Sequence, residues 1–399
     1  MKRHSRIMNY RWHVTRMLNK ACVLLLAFAG YLGAGEFVRA AENSERGESV
    51  GRDWPLVRGD AQGTAVAQSA LPENLEKLWQ FGVPMGSFSA TPIVFNGVVF
   101  IGDLDGVVWA IDLADGKRRW RFKPDESDGF KASAGYRDGF VCVGDLGGVF
   151  YCLDAATGKK QWSRKTDGAI DSSPNFYKGR VIFGSEDNNL YCIDLKTGKD
   201  VWKLTLADQI QCSPTVLDNR AFLAGCDGSF HVVDLDKGTE IPPPVDIEGP
   251  SGQSPAIVGD VAYFGTEGGT FFAIDWKKRT VLWRWENAAR AELIASAAAL
   301  PEEVVFASHD RHVRAVDPKG KVIWTFPTHG RVDSSPVVVG NRIFFGSADG
   351  RIYALDRATG KKVWEYEAGG SFSGGAAVAS NRLLIASDDG ILYCLGAKH

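Results

Sequence analysis

One phrase returns through this chain at intervals of about forty residues, best preserved over residues 332–367 as VDSSPVVVGNRIFFGSADGRIYALDRATGKKVWEYE. An Asp recurs at Asp112, Asp154, Asp194, Asp234, Asp275, Asp317 and Asp356, with spacings of 42, 40, 40, 41, 42 and 39. A Trp recurs a few residues later, at Trp79, Trp120, Trp162, Trp202, Trp283, Trp324 and Trp364. A self-similar unit of this length cannot bury its apolar face alone and must stack on its neighbours.

Within the unit four short segments alternate with turn chemistry. SSPVVV, RIFFGS, RIYALD and KKVWEYE are rich in β-branched and aromatic residues and read as strands A to D. Between them lie Gly-Asn, Ala-Asp-Gly and Arg-Ala-Thr-Gly, where Gly or Asn accepts positive φ. Four strands joined by tight turns form an antiparallel meander, which is a propeller blade. The 45 glycines and 12 tryptophans of the chain are in large part this one turn and strand chemistry, repeated.

Strand A begins eight times, near Thr91, Ser133, Ser173, Ser213, Ser254, Ser296, Ser335 and Gly374, but the eighth unit ends at 394–396 without a strand D. The missing strand stands at the other end of the repeats, where LEKLWQF (75–81) carries an in-register Trp with no strands A to C before it. The expected fold is therefore all-β: an eight-bladed propeller of four-stranded antiparallel blades, closed by the N-terminal strand completing the last blade. A length of 399 residues would otherwise suggest two or three domains. Closure makes 76–396 one domain, preceded by a lead-in at 41–75.

The phrase FGSADGRIYALDRATGKKVWEYE resembles the repeat of the PQQ-like β-propeller superfamily, which includes the quinoprotein alcohol dehydrogenases and the BamB-type scaffold proteins of the outer-membrane β-barrel assembly machinery. The lead-in RDWPLVRGDAQGTAVAQSALPENLEKLWQF, with Trp54 and Arg58-Gly59-Asp60, is similar to the approach to such propellers. For a dehydrogenase the resemblance implies a quinone held between a Trp floor and a disulfide of two adjacent Cys, a cation bound by carboxylate and amide oxygens, and an Asp base. No two Cys are adjacent here, and the repeats carry no large insertions to roof such a site. The resemblance thus leans to the BamB-type branch, a non-catalytic interaction scaffold with no cofactor and an envelope protein as partner. A quinone-binding oxidoreductase relative using PQQ with Ca is the alternative. A carbohydrate or small-molecule binding propeller is a further one.

The first forty residues differ from the rest. Lys2, Arg3, Arg6, Arg11, Arg16 and Lys20 precede an apolar run at 21–34, and Val38-Arg39-Ala40 supplies small residues at a cleavage site. Fourteen residues are short for a bilayer span and suit a signal peptide at 1–40, although an uncleaved anchor has the same pattern. The expected location is exported, in the periplasm or at the outer-membrane periphery. Cys22 opens the apolar run and so does not fit a lipid-anchor site. Removing 1–40 leaves 39 Lys and Arg against 47 Asp and Glu, from 46 against 48 less seven and one, so the mature chain is acidic by 8. Such a balance does not hold a phosphate backbone, and nucleic acid is not expected as a partner. The mature chain shows no membrane span and is expected to be a monomer.

Export permits disulfides among Cys142, Cys152, Cys192, Cys212, Cys226 and Cys394. Cys152, Cys192 and Cys394 share a slot that is Ala in other repeats and read as small buried side chains. A bridge between Cys142 and Cys152 across one hairpin is open, because sequence does not fix the register.

Three sets of residues are candidates for function. Asp105, Asp187, Asp227, Asp310, Asp349 and Asp389 fall in the B to C turns, as an acidic rim or as turn chemistry. The Asp112-type residues read as caps of the C to D turn. The position just before strand A does not repeat: it is Ser89, Lys131, Asp171, Gln211, Gly252, Ile294, Asp333 and Ser373 round the ring. Such variation suits channel-mouth positions with individual roles, among them Lys131, Asp171, Gln211 and Asp333, and equally suits unconstrained surface. His309 and His312 lie in a strand-turn-strand context where three-residue spacing does not build a metal site. The proline-broken segment after Asp234 and the acidic loop at 122–129 are candidate partner contacts. The sequence carries no phosphate loop, nucleophile elbow or HExxH helix.

Overall fold

The computed structural model describes residues 53–398. The expected leader at 1–40, with Cys22, lies outside the described residues. Eight antiparallel sheets follow one another along the chain, and the described residues contain no helix. The first blade consists of Ile93–Phe95, Val98–Gly102, Val108–Asp112 and Arg118–Phe122, strands A to D from the inside outward. The last begins at Ala377–Ala379, continues through Arg382–Ala386 and Ile391–Gly396, and takes its outer strand from Glu76–Gly82. That strand pairs antiparallel from Glu76 opposite Gly396 to Gly82 opposite Ile391. The expected closure is thus present, and the repeats form one ring.

Burial explains the strand sequences. Strands B and C are covered on both faces by the adjoining blades and read as continuous apolar runs, such as Val98–Gly102, which is buried throughout. Strand D forms the outer edge and alternates exposed with half-buried residues. In the fourth blade the outer strand is split into Thr239–Glu240 and Val245–Asp246, with the three prolines between them, where no ladder partner is required.

The repeated Trp and Asp hold blade to blade and turn to strand. Trp120 donates its indole N–H to the Ala155 carbonyl of the next blade (2.9 Å), and Trp79, Trp162, Trp202, Trp283 and Trp324 do the same to Leu113, Leu195, Leu235, Pro318 and Arg357. Trp364 reaches Leu75 at 3.2 Å. The Asp112-type carboxylates accept from backbone N–H groups within their own turns, as Asp154 does from Thr157 (2.9 Å), which is the expected cap.

The lead-in is built into the ring. The inner edge of strand A faces the channel with unpaired N–H and C=O groups, and residues 54–69 satisfy them. Trp54 exchanges two hydrogen bonds with Val94 (2.7 and 2.8 Å), Tyr136 N–H reaches Pro55, Val216 reaches Ala61, Ile257 reaches Gln62, Ala299 reaches Thr64 and Val338 reaches Ala65. The Asn175 amide binds Ala61 in the third blade, and Ser69 accepts from Asn381 N–H in the eighth. All eight blades grip this segment, so the ring is filled by its own chain at this level.

Candidate functional site

Above the lead-in, on the face of the B to C turns, the channel opens into a cup of about 440 Å³. All eight residues of the non-repeating position line it: Ser89, Lys131, Asp171, Gln211, Gly252, Ile294, Asp333 and Ser373. Chain geometry brings them together because each sits one short step before an inner strand. The floor below them is a circuit of hydroxyls. Thr91 N–H donates to Ser133 Oγ (2.9 Å), and the relay passes through Ser173, Ser213, Ser254 and Ser296 to Ser335. Gly375, rather than Gly374, takes the equivalent place in the eighth blade and donates to Thr91 Oγ1 at 2.9 Å. Having no side chain, it leaves the circuit open between itself and Ser335. The recurring Ser before Pro was the sequence signal for this ring.

Val57 of the lead-in enters the floor, and Arg58 lies beneath it, 2 % exposed. The Arg58 Nη2 donates to the carbonyls of Pro336 (2.7 Å), Ala297 (2.9 Å) and Ser296 (3.3 Å), while Nε and Nη1 have no partner among the described residues. Nη1 lies where Gly375 leaves space, 3.5 Å from the position of an added Cβ. Burial drives this guanidinium well below the usual arginine range, against the pull of the nearby Asp60 carboxylate.

Three of the four charged groups of the cup are paired, and the fourth, Glu267, is exposed. Lys131 Nζ contacts Asp171 Oδ2, with the Asp171 side chain 8 % exposed. Asp333 lies between His309 Nε2 (2.5 Å) and Arg331 Nε (2.8 Å), and His309 Nδ1 faces Glu292 at 3.2 Å. Gln211 donates to Glu186 at 3.0 Å, and Ser373 binds Asp388 through both its N–H and hydroxyl. Asp171 Oδ1 and Ser89 Oγ are buried with no protein partner among the described residues.

The turn carboxylates belong to the blades instead. Asp187 accepts from Tyr191 (2.6 Å), Asp349 from Tyr353 (2.8 Å), Asp227 faces His231 (3.1 Å), and Asp310 is gripped by Arg314. Each partner sits four residues on, across the turn on strand C. In the first two blades Asp103 and Asp145 serve, bonding Trp109 (2.6 Å) and Tyr151 (3.0 Å) six residues on. Asp389 contacts its neighbour Ser387, and Asp105 stays exposed. The i, i+4 pairing of Asp with Tyr, His or Arg was visible in the sequence.

Among the described residues no group of three or more His, Cys, Asp or Glu is placed to hold a metal ion. The cup lining contains neither Trp nor Cys, and its ionisable groups are one lysine against Asp171, Glu267 and Asp333. A quinone carrying three carboxylates would meet an acidic wall with its single cation already paired, and no aromatic surface to stack on. The residues present do not fit that group. No helix of the described residues is long and apolar enough to cross a membrane.

Known proteins share this architecture. BamB from Moraxella catarrhalis superimposes with a TM-score of 0.67 at 20% identity, covering 82% of this chain and 98% of that one. The quinohemoprotein alcohol dehydrogenase of Comamonas testosteroni gives 0.73 at 18% identity, covering 87% and 81%. The computationally designed Ika8 protein gives 0.70 at 19% identity, covering 81% and 100%. At these identities the likeness is one of fold. In sequence, 105 residues match the Comamonas enzyme at 31% identity, 24% of this chain and only 14% of that enzyme's length. A family model described as outer membrane protein assembly factor BamB matches residues 49–133, 104–191, 148–309 and 348–399, well over half of the sequence, and the chain belongs to that family.

Proposed function

We propose that the protein is an exported, non-catalytic propeller that serves as an interaction platform in the bacterial envelope, with a component of outer-membrane protein assembly as its partner. The observation that carries this reading is the occupation of the channel by residues 54–69. Eight blades are committed to gripping that segment, and in the cup left above it Lys131 is paired with Asp171 while His309 and Arg331 hold Asp333. A rigid ring of this kind presents loops and blade edges at fixed spacing, which is what a docking platform needs. Family membership supports the same reading, and the basic segment, apolar run and Val38-Arg39-Ala40 support export.

The test is capture of a tagged full-length chain from envelope fractions of its native host, with in-cell crosslinking. Recovery of an outer-membrane assembly component supports the platform. Saturable binding of PQQ with Ca²⁺ together with dye-linked alcohol oxidation would overturn it in favour of the oxidoreductase reading.

A second reading rests on the polar lining of the cup, to which Ser89, Asp171, Gln211, Asp333 and Ser373 contribute. A small hydroxylated ligand would find donors and acceptors in such a lining. Calorimetric titration with mono- and disaccharides checks this, and a flat titration to millimolar concentration removes it.

A further inference from the structure

The eight blades offer an internal comparison at one cross-strand position. Where strand B faces strand C, seven blades set a larger apolar side chain against a smaller one, as Phe344 faces Ala354, Ile182 faces Cys192 and Leu384 faces Cys394. In the second blade the facing residues are Cys142 and Cys152. Both are fully buried, and they face each other across the ladder.

The ladder fixes what kind of pair this is. Asp145 N–H donates to Val149 O and Ala155 N–H donates to Gly139 O, both at 2.9 Å, so these flanking positions are hydrogen-bonded sites of the hairpin. Alternation from either end places 143 opposite 151 and 141 opposite 153 in hydrogen-bonded sites, and Cys142 opposite Cys152 in a non-hydrogen-bonded one. At such sites the Cα atoms approach to about 4.5 Å and the side chains are closest. That separation falls inside the window of about 4.4–6.8 Å that a disulfide spans without moving the backbone. Cys192 and Cys394 face Ile182 and Leu384 and have no sulfur opposite them, so they serve as controls within the same fold.

We propose that Cys142 and Cys152 are a disulfide-forming pair, closed as their hairpin forms in an oxidising environment, while Cys192, Cys212, Cys226 and Cys394 remain thiols. The oxidant is a disulfide, either glutathione disulfide or an exported dithiol–disulfide oxidase. One cysteine thiolate attacks it, forming a mixed disulfide and releasing one thiolate. The second cysteine, deprotonated, then displaces the other half of the oxidant. The pair loses two protons and two electrons, and the oxidant's S–S bond becomes two thiols. Closure precedes burial, because in the folded ring neither sulfur meets solvent and burial pushes the Cys142 thiol far up, which suppresses its thiolate. A hairpin ten residues apart in sequence brings the two sulfurs together early in folding. The same burial then shields the bond from reductants.

Occurrence of the bond in cells rests on the export reading, whereas the pairing itself does not, and the experiment separates the two. The full chain is unfolded, reduced and refolded in glutathione redox buffers, then unfolded in N-ethylmaleimide and mapped by peptide mass. The expected species is two hydrogens lighter, with one peptide pair linked through Cys142 and Cys152 and maleimide on Cys192, Cys212, Cys226 and Cys394, and on Cys22 where the leader is present. Reduction lowers its Tm by about 3 °C or more. Cys192→Ala leaves the linked species intact, and Cys142→Ala abolishes it without producing another. Complete labelling of Cys142 and Cys152 at every glutathione ratio overturns the proposal, as does a link elsewhere, such as Cys212 to Cys226. If the bond forms on refolding but protein trapped directly from cells carries only thiols, the export reading fails and the pairing stands.

Discussion

Gly158 and Trp120 are in such close contact that a Cβ on Gly158 would stand 2.6 Å from the indole ring. The Trp belongs to one blade and the Gly to the C to D turn of the next, and Gly158 has φ of 72°. Gly158→Ala therefore adds a steric clash to a strained backbone and is expected to cost about 2–4 kcal/mol. Gly179 has nearly the same φ, 73°, but nothing within 4 Å of an added Cβ. Gly179→Ala is expected to cost only about 1 kcal/mol, the backbone share alone. Urea unfolding of the two variants measures the difference, and equal losses would remove the Trp from the explanation.

Arg58 is the second test. Its guanidinium reaches carbonyls of two blades from the centre of the ring. Arg58→Ala strips partners from buried acceptors and leaves a cavity under the cup, for an expected loss of about 2–4 kcal/mol. Arg58→Lys is expected to recover only part of it, because an ammonium can serve the carbonyls that Nη2 bonds but does not fill the buried volume of the guanidinium. Full recovery by Lys, read from the unfolding midpoint, would show that only the charge matters.

At the cup, Lys131 and Asp171 differ in exposure: the lysine is 54 % exposed and the carboxylate 8 %. Lys131→Met leaves a buried carboxylate unpaired, whereas Lys131→Met with Asp171→Asn removes the charge together with its partner. A double-mutant cycle is expected to give a coupling of about 0.5–2 kcal/mol, with the double variant more stable than Lys131→Met alone. A double variant as unstable as the sum of the singles would place the stabilisation in solvent-exposed contacts instead.

The repeat made the ring legible because each blade solves the same packing problem with the same residues. Even the irregular blade is consistent on this view. Ile241 stands at the Trp position of the fourth blade, and the turn it would have met carries Arg279 in place of Gly, with Trp276 packing back onto Phe222 at 5.1 Å. The acidic rim was legible as turn chemistry, and for Asp187, Asp227, Asp310 and Asp349 the partner stood four residues downstream. What periodicity did not reveal was the path of residues 54–69, since that segment occurs once and its contacts are backbone hydrogen bonds available to any sequence. Arg58 was visible as a residue but not as a buried one, because a charged side chain after the apolar run 54–57 and before Gly59-Asp60 reads as a turn to the surface.

The pairing of Asp187 with Tyr191 contributes to the acid limb of stability. Burial pushes the Asp187 carboxyl up, but hydrogen bonds from Tyr191, the Asp167 N–H and Asn189 outweigh it and hold the group below the usual carboxylate range. Asp310 behaves alike, with burial opposed by hydrogen bonding and charge from Arg314. A carboxyl lower in the folded than in the unfolded chain contributes stability that is complete above the unfolded value, near pH 4, and is lost as pH falls through the folded one. Asp103 has the opposite sign: burial outweighs its bonds from Trp109 and Val107 and raises it. Its ionised form is a cost to the fold near neutrality, relieved as pH falls. Asp187→Asn is accordingly expected to lose about 1–2 kcal/mol at pH 7 and to flatten the decline of Tm between pH 5 and 3. Asp103→Asn removes the relief and steepens that decline. Profiles of both variants running parallel to the parent protein would mean that neither carboxyl is linked to folding.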